Sequence, residues 1–112
     1  MYVKEAQFDY QNLPWIRIRK GGMVGRMKKR SLGNGRTVRI LEISPDWNEV
    51  DWCRKEHIGY VLSGEAHFEF ESKKKKSLNI KQGQGFSISL GVGHKVSCKA
   101  TTAVFIVDQK PS

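Results

Sequence analysis

The sequence predicts an all-β fold of the sandwich or barrel type. Three observations carry that reading. Glycines punctuate the chain from Gly21-Gly22 through Gly33, Gly35, Gly59, Gly64, Gly83 and Gly85 to Gly91 and Gly93. The apolar runs between them are short and rich in β-branched and aromatic residues. Glu65 to Glu71 alternates strictly, with Ala66, Phe68 and Phe70 on one side and Glu65, His67, Glu69 and Glu71 on the other. Period-two alternation between turn signals is the mark of half-buried strands.

The elements follow in chain order. The stretch before Trp15 is too irregular to assign, and LPWIRIR (Leu13 to Arg19) has no obvious partner within a barrel core. Arg36 to Ile43 sets Thr37, Arg39 and Leu41 against Val38, Ile40 and Glu42. Pro45 to Lys55 is polar with two tryptophans, and reads as a loop or short strand at one mouth of the barrel. At least one of Trp47 and Trp52 is expected in the core. His57 to Leu62 is apolar on both faces, as a fully buried strand would be. Ser63-Gly64 marks a tight corner before Glu65. Lys73 to Lys76 reads as a solvated hairpin tip leading into Ser77 to Lys81. Gly85 to Leu90, Lys95 to Lys99 and Thr102 to Val107 complete the strands, and no segment offers a long helix.

A chain of 112 residues suits one domain, 1–112, with an N-terminal arm and edge strands (1–35) and a barrel core (36–109). No apolar run approaches the ~20 residues of a membrane span. Met1 to Asn12 lacks the apolar centre of a secretory leader, so a cytoplasmic location with reduced Cys53 and Cys98 is expected. The formal charge is +9, and Tyr10 to Leu41 contains no acid at all. A solvated basic face accounts for this. Nucleic acid is disfavoured because no aromatic stacking ladder accompanies the charges.

From Arg36 to Gln109 the order of strands and glycines resembles the cupin family, whose fold is a double-sheet jelly roll. Cupins carry two motifs. The first has two histidines one residue apart, a glutamate after three or four more, and a glycine seven beyond that. The second runs from a glycine through a Pro-x-Gly turn to a histidine. Asp51 to Gly64 (DWCRKEHIGYVLSG) matches the first, with His57 at the glutamate position and Asp51 and Cys53 at the histidine positions. The longer spacer would instead select Val50 and Trp52, which cannot ligate. Gly83 to His94 (GQGFSISLGVGH) matches the second, with Gly83, Gly91 and His94 in place and Ser89 where the proline stands. A slip of one residue would substitute Glu56 for His57, but this reverses the side-chain face unless a bulge intervenes.

The resemblance implies an interior ligand or metal site, and two function classes follow. One is a module binding a small polar or anionic molecule, with His57, His94, Trp52 and Tyr60 as contacts. The other is a metal-dependent enzyme of dioxygenase, isomerase or lyase type, with His57, His94, Cys53 and Asp51 as ligands. The ion would be Zn, Fe, Ni or Mn; a metal-free barrel with hydrogen-bonded histidines is an equal expectation. His57, Gly59 and Val61 share one face and His94, Val96 and Cys98 another, so the imidazoles meet if both faces point inward. Beside Arg54, Lys55 and His57, Cys53 is the one thiol of the two with neighbours that lower a pKa, while a loop cysteine without a function is the first expectation. Cys98 is expected as a small buried apolar residue, His67 as exposed, and Tyr60 and Phe86 as core. The resemblance also implies a homodimer.

Overall fold

The structure, a computed structural model, describes residues 7–109. The first six residues of the expected arm and the last three of the expected domain lie outside the described residues. Among those described, nine strands follow a short 3-10 turn, Tyr10–Asn12. They are β1 (Ile16–Lys20), β2 (Met23–Gly33), β3 (Arg36–Ile43), β4 (His57–Ser63), β5 (Glu65–Phe70), β6 (Leu78–Lys81), β7 (Gly85–Ile88), β8 (His94–Ser97) and β9 (Thr102–Gln109). They form two antiparallel sheets, one of six strands in the order β1-β2-β3-β9-β4-β7 and one of three in the order β6-β5-β8. This is the jelly-roll arrangement, with two separate ladders rather than one closed ring.

The core lies between the sheets, built by period-two alternation. Leu41 and Ile43 of β3, Val104 and Ile106 of β9, and Val61 of β4 face Ala66 and Phe68 of β5 across it. Phe86 and Ile88 of β7 and Ile80 of β6 close the far side. Burying a side chain of this size contributes ~1.5–3 kcal/mol against leaving it in water. Two glycines have a steric reason. A Cβ on Gly59 would collide with the Phe86 ring and the Phe105 carbonyl oxygen. Gly64 turns the corner from β4 to β5 at φ 84 and leaves no room above Thr102 for a side chain. The Thr102 hydroxyl, fully buried, donates to the Ala100 carbonyl (2.9 Å) and accepts from the Glu65 N–H (3.2 Å).

Three expectations are corrected. The N-terminal arm is more regular than expected: its edge strands β1 and β2 pair with each other over Ile16–Lys20 and residues 23–27, and β2 joins the pair to β3 of the larger sheet. Its charges masked a strand, because β2 puts Met23 and Met27 inward and Arg26 and Lys28 outward. Nor is the basic run wholly solvated. Lys28 is buried, donates to the Tyr10 carbonyl (2.9 Å), and lies over the Tyr10 and Trp15 rings at 4.2 and 4.9 Å. Finally, β4 is buried on one face only. His57 and Val61 point inward, whereas Ile58, Tyr60 and Leu62 are 51%, 46% and 41% exposed on the outer face. Alternation governs this strand despite its apolar composition on both sides. Tyr60 is therefore not core, while Phe86 is.

Candidate metal centre

The loop between β3 and β4 is tied down at several points before it delivers Cys53. The Ser44 hydroxyl donates to the Val24 carbonyl (2.9 Å) and accepts from the Asp46 N–H (3.1 Å). Trp47 then turns into the core, and the Asn48 N–H donates to the Gly22 carbonyl (3.0 Å). Cys53 and His94 exchange both backbone hydrogen bonds, at 3.0 and 2.9 Å, an isolated bridge that pins the loop to the start of β8. The Arg54 guanidinium reaches the Glu71 carboxylate (2.5 Å) and the Gly91 carbonyl (3.3 Å) across the same seam.

That bridge brings Cys53 to the two histidines. Ligating atoms of Cys53, His57 and His94 all lie within 4.8 Å of one another, and both histidines are buried. The imidazole rings meet edge to face with centroids 5.1 Å apart. Their tautomers are set from behind. His57 Nδ1–H donates to Asp108 Oδ1 (2.7 Å), since a carboxylate only accepts. His94 Nδ1–H donates to the Val92 carbonyl (2.9 Å). Each ring therefore turns Nε2 toward the shared space, and His57 Nε2 lies 3.6 Å from Cys53 Sγ. Acceptors behind metal-binding histidines orient them in this way.

The electrostatics match the geometry. Burial alone would raise the Cys53 thiol, but hydrogen bonds from His57, His94 and the Lys55 backbone N–H outweigh it and bring the pKa down to about 5. Burial disfavours charge on His57, yet Asp108 and Cys53 push its pKa upward. Burial likewise opposes ionisation of Asp108, and His57 together with Arg39 holds it below the ordinary carboxylate range. Arg39 Nε donates to Asp108 Oδ2 at 2.6 Å. Cys53, His57, Asp108 and Arg39 thus form one chain of hydrogen bonds and charge.

The cluster opens on a cavity of about 540 Å³ between the sheets. Its wall is mainly apolar, with Ile18, Met23 and Met27 contributed by the β1–β2 hairpin and Phe68, Phe86 and Val96 by the rest of the fold. Trp52 is half-buried on this wall, with Lys95 Nζ 4.4 Å above its ring. Asp51 stands exposed at the rim, outside the three-residue cluster. Tyr60 is on the opposite face of β4 from His57 and does not line the cavity, so it is no interior contact. Glu56 is also displaced, because β4 runs without a bulge at His57, which pairs directly with Asp108 and Ile88. His67 is half-buried and bound to Asn79 (2.7 Å), away from the cluster. Cys98 packs against the core, and burial raises its thiol pKa.

Two site residues escaped the sequence reading. Asp108 shares a strand face with Val104 and Ile106, a signal available in the alternation of β9. Glu49 accepts the Val96 N–H at 2.6 Å and is pushed up by burial. Nothing in its loop sequence marks it.

No protein-family model and no curated protein matches the sequence. Solved structures do match over nearly the whole chain. A cupin related to RmlC from Shewanella frigidimarina superposes with a TM-score of 0.73 at 15% identity, over 96% of this chain and 93% of that one. An oxalate decarboxylase variant from B. subtilis gives 0.69 at 15% identity over all of this chain, which spans 31% of the decarboxylase. Hydroxypropylphosphonic acid epoxidase from S. wedmorenis gives 0.66 at 13% identity, over 96% of this chain and 59% of the epoxidase. Two facing antiparallel sheets with a histidine-lined interior, superposing on these structures from end to end, give the chain the cupin fold.

Proposed function

We propose that the chain holds one divalent metal ion through Cys53, His57 and His94 and binds a small molecule in the cavity beside it. The carrying observation is convergence. Both histidines have Nδ1 committed to an acceptor, so both Nε2 atoms and a depressed-pKa thiol face one buried space. The donors fit an ion of borderline softness, and one thiolate with two imidazoles suits Zn²⁺ or Fe²⁺ better than Mn²⁺. When bound, such an ion would supply Lewis acidity at any position left open. The chain's own residues supply the rest. Asp108 fixes the His57 tautomer, Val92 fixes that of His94, and the apolar wall excludes water.

The test is metal content of protein purified without chelator. It should approach one ion per chain and fall to background in Cys53→Ala, His57→Ala and His94→Ala. Metal-free protein under zinc, iron, nickel and manganese supplementation would overturn the assignment.

One observation favours a metal-free binding module as the second reading. Cys53 and His57 already satisfy one another at 3.6 Å, with Asp108 supporting a charged imidazole. A thiolate–imidazolium pair of this kind needs no ion. We also propose a homodimer. The exposed Ile58, Tyr60 and Leu62 on one face of β4 support pairing through that face.

A further inference from the structure

The interior of the larger sheet changes character along its strands. Toward one end its inward residues are apolar: Val61 on β4, Val104 and Ile106 on β9, Leu41 and Ile43 on β3, and Met23 and Met27 on β2. Toward the other end the same faces carry His57, Asp108, Thr37 and Arg39, and Lys29 and Ser31. The register makes this a continuous band. His57 lies opposite Asp108, Asp108 opposite Thr37, and Arg39 opposite Lys29.

Beyond that band lies a second hollow, an open groove of about 670 Å³. It adjoins the apolar cavity, since Met27, Arg39 and Lys55 line both. Lys29, Arg39, Arg54 and Lys55 face the groove, with Glu56 and Asp108 as its acids and the hydroxyls of Ser31 and Thr37 beside them. Asp108 is committed to Arg39 and His57, and Arg54 to Glu71. Among the described residues, neither Lys29 nor Lys55 has an acidic partner.

We infer that the ligand is a small amphipathic monoanion. Its apolar body fills the inner cavity, and its single anionic group lies in the groove against Lys29 and Lys55. The inference rests on the small-molecule half of the proposed function and not on the metal. The inner cavity, about 540 Å³, falls in the range of small-molecule pockets. Its apolar wall rewards burial of a hydrocarbon or aromatic body. An anion seated on the apolar wall would lose its hydration beside Glu49; a cation held by Cys53, His57 and His94 is the competing partner there, and the variants below separate it from the lysines. At the groove the anion keeps water and gains two lysines. Charge and hydropathy therefore orient the molecule with its anionic end outward.

The probes are naphthalene-2-carboxylate and its neutral isostere naphthalene-2-carboxamide, titrated calorimetrically into the full chain. The carboxylate should bind about tenfold more tightly, the scale of two partly exposed charge contacts. Lys29→Glu with Lys55→Glu should abolish that preference, leaving carboxamide affinity and metal content unchanged. Lys29→Gln with Lys55→Gln, the milder change, should give an intermediate preference. Added salt should weaken only the carboxylate. Equal affinity for both probes, binding of neither, or a preference that survives charge reversal overturns the inference. A preference lost with His57→Ala and metal removal, but kept in the lysine variants, would place the anion on the metal and overturn it too. A chain that proves metal-free yet keeps the lysine-dependent preference would sink the metal assignment alone.

Discussion

Cys53 is a half-buried thiol whose pKa is brought down to about 5, while burial raises that of Cys98. In metal-free protein, alkylation of Cys53 should therefore rise with pH around 5 and level off by neutrality, with Cys98 lagging throughout. Mass-spectrometric rates at a series of pH values check this, and a Cys53 midpoint near the ordinary thiol range of about 8.5 would contradict it. Asp108→Asn removes the carboxylate behind His57, lowering the imidazole pKa and raising that of the thiol, so the alkylation midpoint should move upward. The linkage has a definite sign. The Cys53 contribution to stability is complete above the ordinary thiol range and is lost as pH falls through 5. The His57 contribution is complete below the ordinary imidazole range and is lost as pH rises through its raised value. The two overlap as a charged pair between those limits. Chemical denaturation across pH should show Cys53→Ser weakening the acid-side loss. At this scale the sequence exposed His57, His94 and Cys53, because the motif positions hold titratable groups. It hid Glu49, whose role depends on the Val96 N–H reached through the tertiary fold.

Strand β4 shows how much one element decides. Gly59 lets the Phe86 ring and the Phe105 carbonyl come against its backbone, and the latter cannot move without opening the β4–β9 ladder. Gly59→Ala should destabilise the fold by about 1–3 kcal/mol, the usual range for forced overpacking, as measured by urea unfolding. An unchanged midpoint would contradict the packing described. The strands whose faces differ in polarity, β3 and β5 above all, were legible from alternation alone. β2 was not, because a run of lysines and arginines conceals the inward Met23 and Met27. β4 misled in the other direction, since apolar residues on both faces resemble burial on both. Asp108 was missed because β9 continues past Val107 to Gln109, and the last inward position is a carboxylate rather than another valine.

The whole molecule is two sheets enclosing a cavity that the β1–β2 hairpin walls on one side. The fold was readable because glycine spacing and short apolar runs report strand length and corners. The assembly was expected from the resemblance, and its support is the apolar outer face of β4. Sedimentation should give a dimer in the wild-type chain and a monomer in Tyr60→Lys, with the fold retained; a wild-type monomer would remove that proposal. Among the described residues no helix is long and apolar enough to cross a membrane. The central claim is that one thiolate and two imidazoles ligate a single ion. Cobalt(II) added to the apo protein should produce an intense near-ultraviolet sulfur-to-metal band at one equivalent. Cys53→Ser should erase the band, and His94→Ala should weaken cobalt binding at least tenfold. A spectrum without that band, or one unaltered by Cys53→Ser, would contradict the claim.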